Sequence, residues 1–198
     1  MIRALVATTL VVGMPTAMPA EDPKAPEFLF AAKGTKREYR LTADSKSTEF
    51  TTEAQEPFVR GGRRILRAEL RLGTSAWIEE HAVDDKGLYL LSGIGGKYDP
   101  PRTVLRFPIK AGDSWTEKYK EGDAETVAKS IVRETETIEV PAGKFRAYPV
   151  DTVISAGGVT VTGTTWYAER VGIVKMHLTF APRPLTTTLE LTQFTPGK

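Results

Sequence analysis

Along most of this chain, apolar and polar residues alternate one for one. In 65–72, Leu66, Ala68, Leu70 and Leu72 alternate with Arg67, Glu69 and Arg71. In 173–180, Val174, Met176, Leu178 and Phe180 alternate with Lys175, His177 and Thr179, and in 185–192 Leu185, Leu189 and Leu191 face away from Thr188, Glu190 and Thr192. A period of two places one set on each face of an extended strand, one dry and one wet. Turn residues recur at short intervals: Gly61-Gly62, Gly73-Thr74-Ser75, Asp85-Lys86-Gly87, Gly95-Gly96, Glu121-Gly122-Asp123, Pro141-Ala142-Gly143 and Gly157-Gly158. Strands joined by such turns predict an all-β antiparallel meander of ten or eleven strands. That many strands in one layer curl. The expected architecture is a strongly curved sheet, a half-barrel, or two packed, pseudo-repeated sheets. One stretch competes: residues 123–134, with Asp123 as a cap and Val127 and Ile131 four apart, fit either a helix or a strand with those two residues inward.

The first residues stand outside this pattern. Arg3 precedes an apolar run, Ala4 to Val12, too short to cross a bilayer, and Pro15 and small residues follow. Residues 1–20 therefore read as a secretory signal peptide, cleaved after Ala20 or Ala17. Residues 21–27, with two prolines, read as a flexible lead-in. The remainder, 28–198, reads as a single β domain that is periplasmic or secreted, has no membrane span after cleavage and is expected to be a monomer.

Composition narrows the chemistry. The 198 residues include no cysteine and only two histidines, His81 and His177. Disulfides, Cys-ligated zinc, iron–sulfur clusters and thiol nucleophiles are excluded, and a Ser-His-Asp triad would need one of the two histidines. The formal charge of +2 gives no footprint for nucleic acid. An exported chain without disulfides must draw its stability from burial and sheet hydrogen bonding.

The halves 28–105 and 106–198 carry similar strings. Phe28 to Tyr39 is similar to Phe107 to Tyr119, each with a glycine midway, and the stretch from Trp77 through Gly87 is similar to that from Trp166 through Gly172. The second half also resembles a group of uncharacterised exported bacterial β-rich domains. Phe107-Pro-Ile-Lys-Ala-Gly-Asp-Ser-Trp115 resembles their PLKxGDxW opening, Val140-Pro-Ala-Gly-Lys-Phe145 their VPAGxF hairpin, and Trp166-Tyr-Ala-Glu-Arg-Val-Gly-Ile-Val-Lys175 their WYAPGVGLVK segment, with Glu169-Arg170 in place of Pro-Gly. That resemblance implies a fold similar to the half-barrel of envelope lipoprotein carriers, and no activity.

The best chemical cluster lies around His81. If Gly73-Thr74-Ser75 is a three-residue hairpin loop, Leu70 faces Ile78, Glu69 faces Glu79 and Arg67 faces His81. Glu69, Glu79 and His81 would then share the wet face. They would form an ionic ladder with Arg67 and Arg71, or in a minor alternative the site of a metal-dependent hydrolase. His177 is expected on a wet face, Asp84-Asp85-Lys86-Gly87 as a turn, and Arg60 to Arg64 as a basic loop. No catalytic, metal or cofactor motif is found. The expected role is therefore non-enzymatic. Either the concave face binds a lipid or other amphiphile through Trp115, Tyr119 and one of Trp166 and Tyr167, or the domain has a filled core and meets an envelope protein. A carrier of that kind requires a cavity above roughly 300 Å³.

Overall fold

The structure, a computed structural model, describes residues 32–198; the signal peptide and lead-in expectations concern residues outside the described ones. The described residues form fourteen strands and no helix. They are β1 (Lys36–Ala43), β2 (Lys46–Ala54), β3 (Phe58–Arg60), β4 (Arg63–Leu72), β5 (Ser75–Val83), β6 (Gly87–Gly93) and β7 (Gly96–Arg106), then β8 (Ser114–Glu121), β9 (Ala124–Val132), β10 (Glu136–Val140), β11 (Gly143–Ala156), β12 (Val159–Ala168), β13 (Gly172–Ala181) and β14 (Leu185–Thr195).

All neighbours are antiparallel, and the sheet closes on itself. From β11 the circuit runs through β12, β13, β14, β1, β2, β4, β5, β6, β7, β8 and β9, and β9 pairs back to β11 from Val132↔Val150 to Thr126↔Ala156. The result is a twelve-stranded barrel with β3 and β10 as short additions. The half-barrel expectation is corrected here. A half-barrel meander would leave its first and last strands, β1 and β14, as free edges, and their mutual pairing removes both. β4 and β11 play matching parts. Each carries two strands on one edge, β3 and β2 on β4, β10 and β9 on β11.

Residues 123–134 are resolved as strand by their period. Thr126, Ala128, Ser130 and Val132 are buried in alternation, whereas Ile131 is 45% exposed. The face is the reverse of the expected one. Trp115 stands opposite Ser130 and Tyr119 opposite Thr126, so large β8 side chains need small β9 partners on the inner side.

Two clusters fill the interior. One gathers Val83, Leu88, Leu105, Ile109, Trp115, Val132, Val150 and Tyr167; the other is centred on Tyr39, Val174, Leu189 and Leu191. Ile109, in the β7–β8 connection, is 1% exposed. Outward positions are charged: Arg40, Glu49, Glu53, Arg71, Lys118, Lys120 and Lys129 are all exposed.

Ile109→Ala should lower unfolding free energy by about 2–5 kcal/mol, because a buried branched side chain leaves a cavity. Ile131→Ala, on the outer face, should change it by less than about 0.5 kcal/mol. Urea denaturation of the two variants checks both.

A candidate site inside the barrel

The β4–β5 hairpin decides what chemistry enters the interior. Its loop has two residues, Gly73 and Thr74, with Leu72 paired to Ser75 and Gly73 at φ 58°. Leu70 therefore faces Trp77, Ala68 faces Glu79 and Leu66 faces His81. This register differs by one residue from the three-residue-loop expectation. Because side chains alternate, a one-residue slip moves every β5 side chain to the other face. Glu79 and His81 turn inward beside Leu66 and Ala68. Glu69 stays outside, 2.5 Å from Arg71. The expected Glu69/Glu79/His81 constellation is thus not assembled, and no group of three potential metal ligands occurs among the described residues. An outer ionic ladder does exist, built on Glu80. Its carboxylate accepts from Arg60 at 2.8 Å and from Arg67 at 2.5 Å, and these two hydrogen bonds hold it below the usual carboxylate range.

Inside, a cavity of about 150 Å³ lies between β1, β2, β4, β5 and the β12–β13 pair. Leu66, Leu70, Leu88, Val104 and Ile173 supply its apolar wall; Arg37, Tyr39, Glu79, His81 and Tyr167 supply the polar part. Several of these polar groups are tethered. Arg37 Nε donates to the Val171 carbonyl at 2.5 Å, and the Tyr39 hydroxyl donates to the Ile173 carbonyl at 3.0 Å. These bonds join β1 to the start of β13, across the intervening β14. His81 Nδ1 lies 3.6 Å from Glu79 Oε1. Burial pushes the His81 imidazole below its ordinary pKa; Glu79 opposes this, and Arg102 and Arg37 add to it. Burial also pushes the Tyr39 and Tyr167 phenols up to about 12. At neutral pH both phenols stay protonated, and Tyr39 is the one seen to donate.

The four aromatic candidates separate. Tyr167 lines the cavity. Trp115 is 5% exposed within the first core cluster. Tyr119 is 4% exposed, its ring 5.6 Å from that of Tyr98. Trp166 points outward; its indole donates to Glu136 Oε1 at 2.6 Å, with Lys175 Nζ 6.0 Å from the ring centre. Adjacent on β12, Trp166 and Tyr167 take opposite faces by alternation; the register shift beside them leaves Val174 of β13 unmatched. His177 is exposed, its Nδ1 3.0 Å from Thr188 Oγ1. The expectation that both histidines sit on wet faces holds for His177 and is corrected for His81. Sequence reasoning missed Arg37 and Tyr39. Their signal was parity, since two residues apart on one strand they must share a face.

No family model matches this chain, and no curated protein does. Two solved structures share its fold. One is a "putative lipoprotein" from Parabacteroides distasonis ATCC 8503, 14% identical, aligned over 85% of this chain and 98% of that one, with a TM-score of 0.58. The other is a "putative exported protein with YmcC-like fold" from Bacteroides fragilis NCTC 9343, 17% identical, aligned over 85% and 99%, with a TM-score of 0.56. At these identities the likeness is one of fold.

The His81 imidazole, largely withdrawn from water, makes stability depend on pH. A histidine whose folded pKa lies below its unfolded value of about 6.5 contributes fully above that value and loses its contribution as pH falls toward the folded pKa. Chemical denaturation should show declining stability from pH 7 to pH 5. His81→Gln should flatten that decline; an unchanged slope would contradict burial of a neutral His81.

Proposed function

We propose that this chain is an exported, non-enzymatic β-barrel domain that binds a small, compact ligand inside the barrel. The interior cavity carries this reading: an apolar wall with a few convergent polar groups, the usual make-up of a ligand pocket. Its size sets the ligand. Apolar cavities of about 150 Å³ accept a molecule such as benzene, whereas drug-sized ligands need roughly 300 Å³ or more. The cavity falls short of the roughly 300 Å³ expected of an amphiphile carrier, which favours a compact ligand. Export is supported by the character of residues 1–20 and by the descriptions of the two structural neighbours. The charged outer wall suits water, unlike the apolar band of a transmembrane barrel.

A second reading, an interaction domain of the envelope, draws on one observation. Ile131 and Val153, 45% and 42% exposed, are diagonal neighbours on the outer face of β9 and β11. Two such side chains make a small patch, and the cavity reading is preferred.

Benzyl alcohol is a suitable probe. At ten times its Kd, binding to the folded state adds about 1.4 kcal/mol, a rise in Tm of about 3–5 °C for a chain of this size. Leu66→Trp, which fills the cavity, should abolish the rise. A flat response of the unmodified protein across the concentration series would overturn the binding reading.

A further inference from the structure

The two adjacent carboxylates of β5 have opposite surroundings. Glu80, on the outer face, accepts hydrogen bonds from Arg60 and Arg67. Glu79, on the inner face, lines the cavity and accepts no hydrogen bond from any described residue. Among the described residues, no lysine or arginine lies within ion-pair distance of it either. Its one close polar neighbour is His81, whose Nδ1 stands 3.6 Å from Glu79 Oε1, too far for a hydrogen bond. Burial holds that imidazole below its ordinary pKa, so at neutral pH it brings no charge to the carboxylate. An acceptor left unmet in an interior is costly, and native proteins keep few of them.

Neither group is sealed off from the cavity. The Glu79 side chain keeps 28% of its surface and that of His81 21%, and both border the same space as Leu66, Leu70 and Ile173. On β6 the position beside the carboxylate is Gly93, where an added Cβ would stand 3.5 Å from Glu79 Oε2. The Gly93 backbone lies outside the left-handed region, so its conformation does not demand a glycine. The missing side chain leaves that flank of the carboxylate clear. The polar groups on the β1 side of the cavity are already engaged, Arg37 with the Val171 carbonyl and Tyr39 with that of Ile173. Glu79 is therefore the acceptor in this wall that still needs a donor.

We infer that the compact ligand of the barrel interior is uncharged and presents an O–H or N–H donor to the Glu79 carboxylate, with its apolar body against Leu66 and Leu70. This rests on the binding reading above and specifies the ligand's head. An anionic head would meet Glu79 itself. A cationic head would be drawn to Glu79 but opposed by Arg37 and Arg102, whose charges both act on the adjoining His81. Burying any ion also costs far more than burying a neutral polar group. A neutral donor meets the carboxylate without adding charge, and its hydrogen bond is charge-assisted.

Chemical-shift titrations of the isotope-labelled chain with benzyl alcohol, benzylamine and benzoate vary the head on one body. Benzyl alcohol should bind more tightly than either charged probe, by about tenfold or more. Glu79→Leu should weaken benzyl alcohol by about tenfold or more, the effect of losing one hydrogen bond to a charged group. Glu79→Gln keeps the size and a weaker, neutral acceptor, so it should weaken benzyl alcohol by about threefold or more, and it carries the test if Glu79→Leu does not fold. If benzyl alcohol binds but is indifferent to the Glu79 variants, or if benzylamine or benzoate binds more tightly, the neutral-donor head is overturned while the cavity reading stands. If benzyl alcohol does not bind at all, both fall.

Discussion

The pairing of β14 with β1 is the contact on which the rest of the barrel depends. It joins the last strand to the first, from Lys36↔Thr195 to Ala43↔Thr187, and turns a long meander of chain-order neighbours into a ring. Closure removes the two free edges that an open sheet would present to other chains. It also fixes the space inside. The inner side chains must then share a set volume, which is why Trp115 meets Ser130 and Glu117 meets Ala128. What remains after that packing is a cavity of about 150 Å³.

The ring also changes the chemistry of whatever points inward. With water reduced, charged forms lose their solvation, and the inner groups shift toward neutrality. His81, Tyr39 and Tyr167 all move in that direction, each with burial as the leading cause. Two cations, Arg37 and Arg102, face the same interior. Arg37 is tied to the Val171 carbonyl, while the Arg102 Nε lacks an acceptor. The interior thus combines an apolar wall, neutral donors and a cation. The proposed binding role rests on those groups, and the register of one hairpin decides which of them face inward.

Much of this was legible as pattern and little of it as contact. Period two identifies the strands, and even the ambiguous 123–134 stretch reveals itself once Thr126, Ala128, Ser130 and Val132 are seen to be buried in alternation. Parity alone separates Trp166 from Tyr167. Register is harder, because it depends on loop length. Two loop residues in place of three exchange Glu79 and His81 with Glu80, while Leu70 keeps an apolar partner either way, Trp77 instead of Ile78. Closure is harder still, since no local signal distinguishes a β14 that ends at an edge from one that finds β1. The short β7–β8 pairing, which ends at Asp99↔Lys120, left a trace in Pro100-Pro101, whose meaning emerges only when the strand it interrupts has a known neighbour.

The central claim is that the sheet is a closed barrel. Nuclear Overhauser contacts across β1 and β14 test it most directly, because the first and last strands of the meander touch only if the ring is shut. Cross-strand main-chain contacts throughout Lys36–Ala43 and Thr187–Thr195, together with slow amide exchange on both strands, are the expected result. Absence of those contacts, with β14 amides exchanging as freely as an exposed edge, would contradict the closed barrel and with it the interior site.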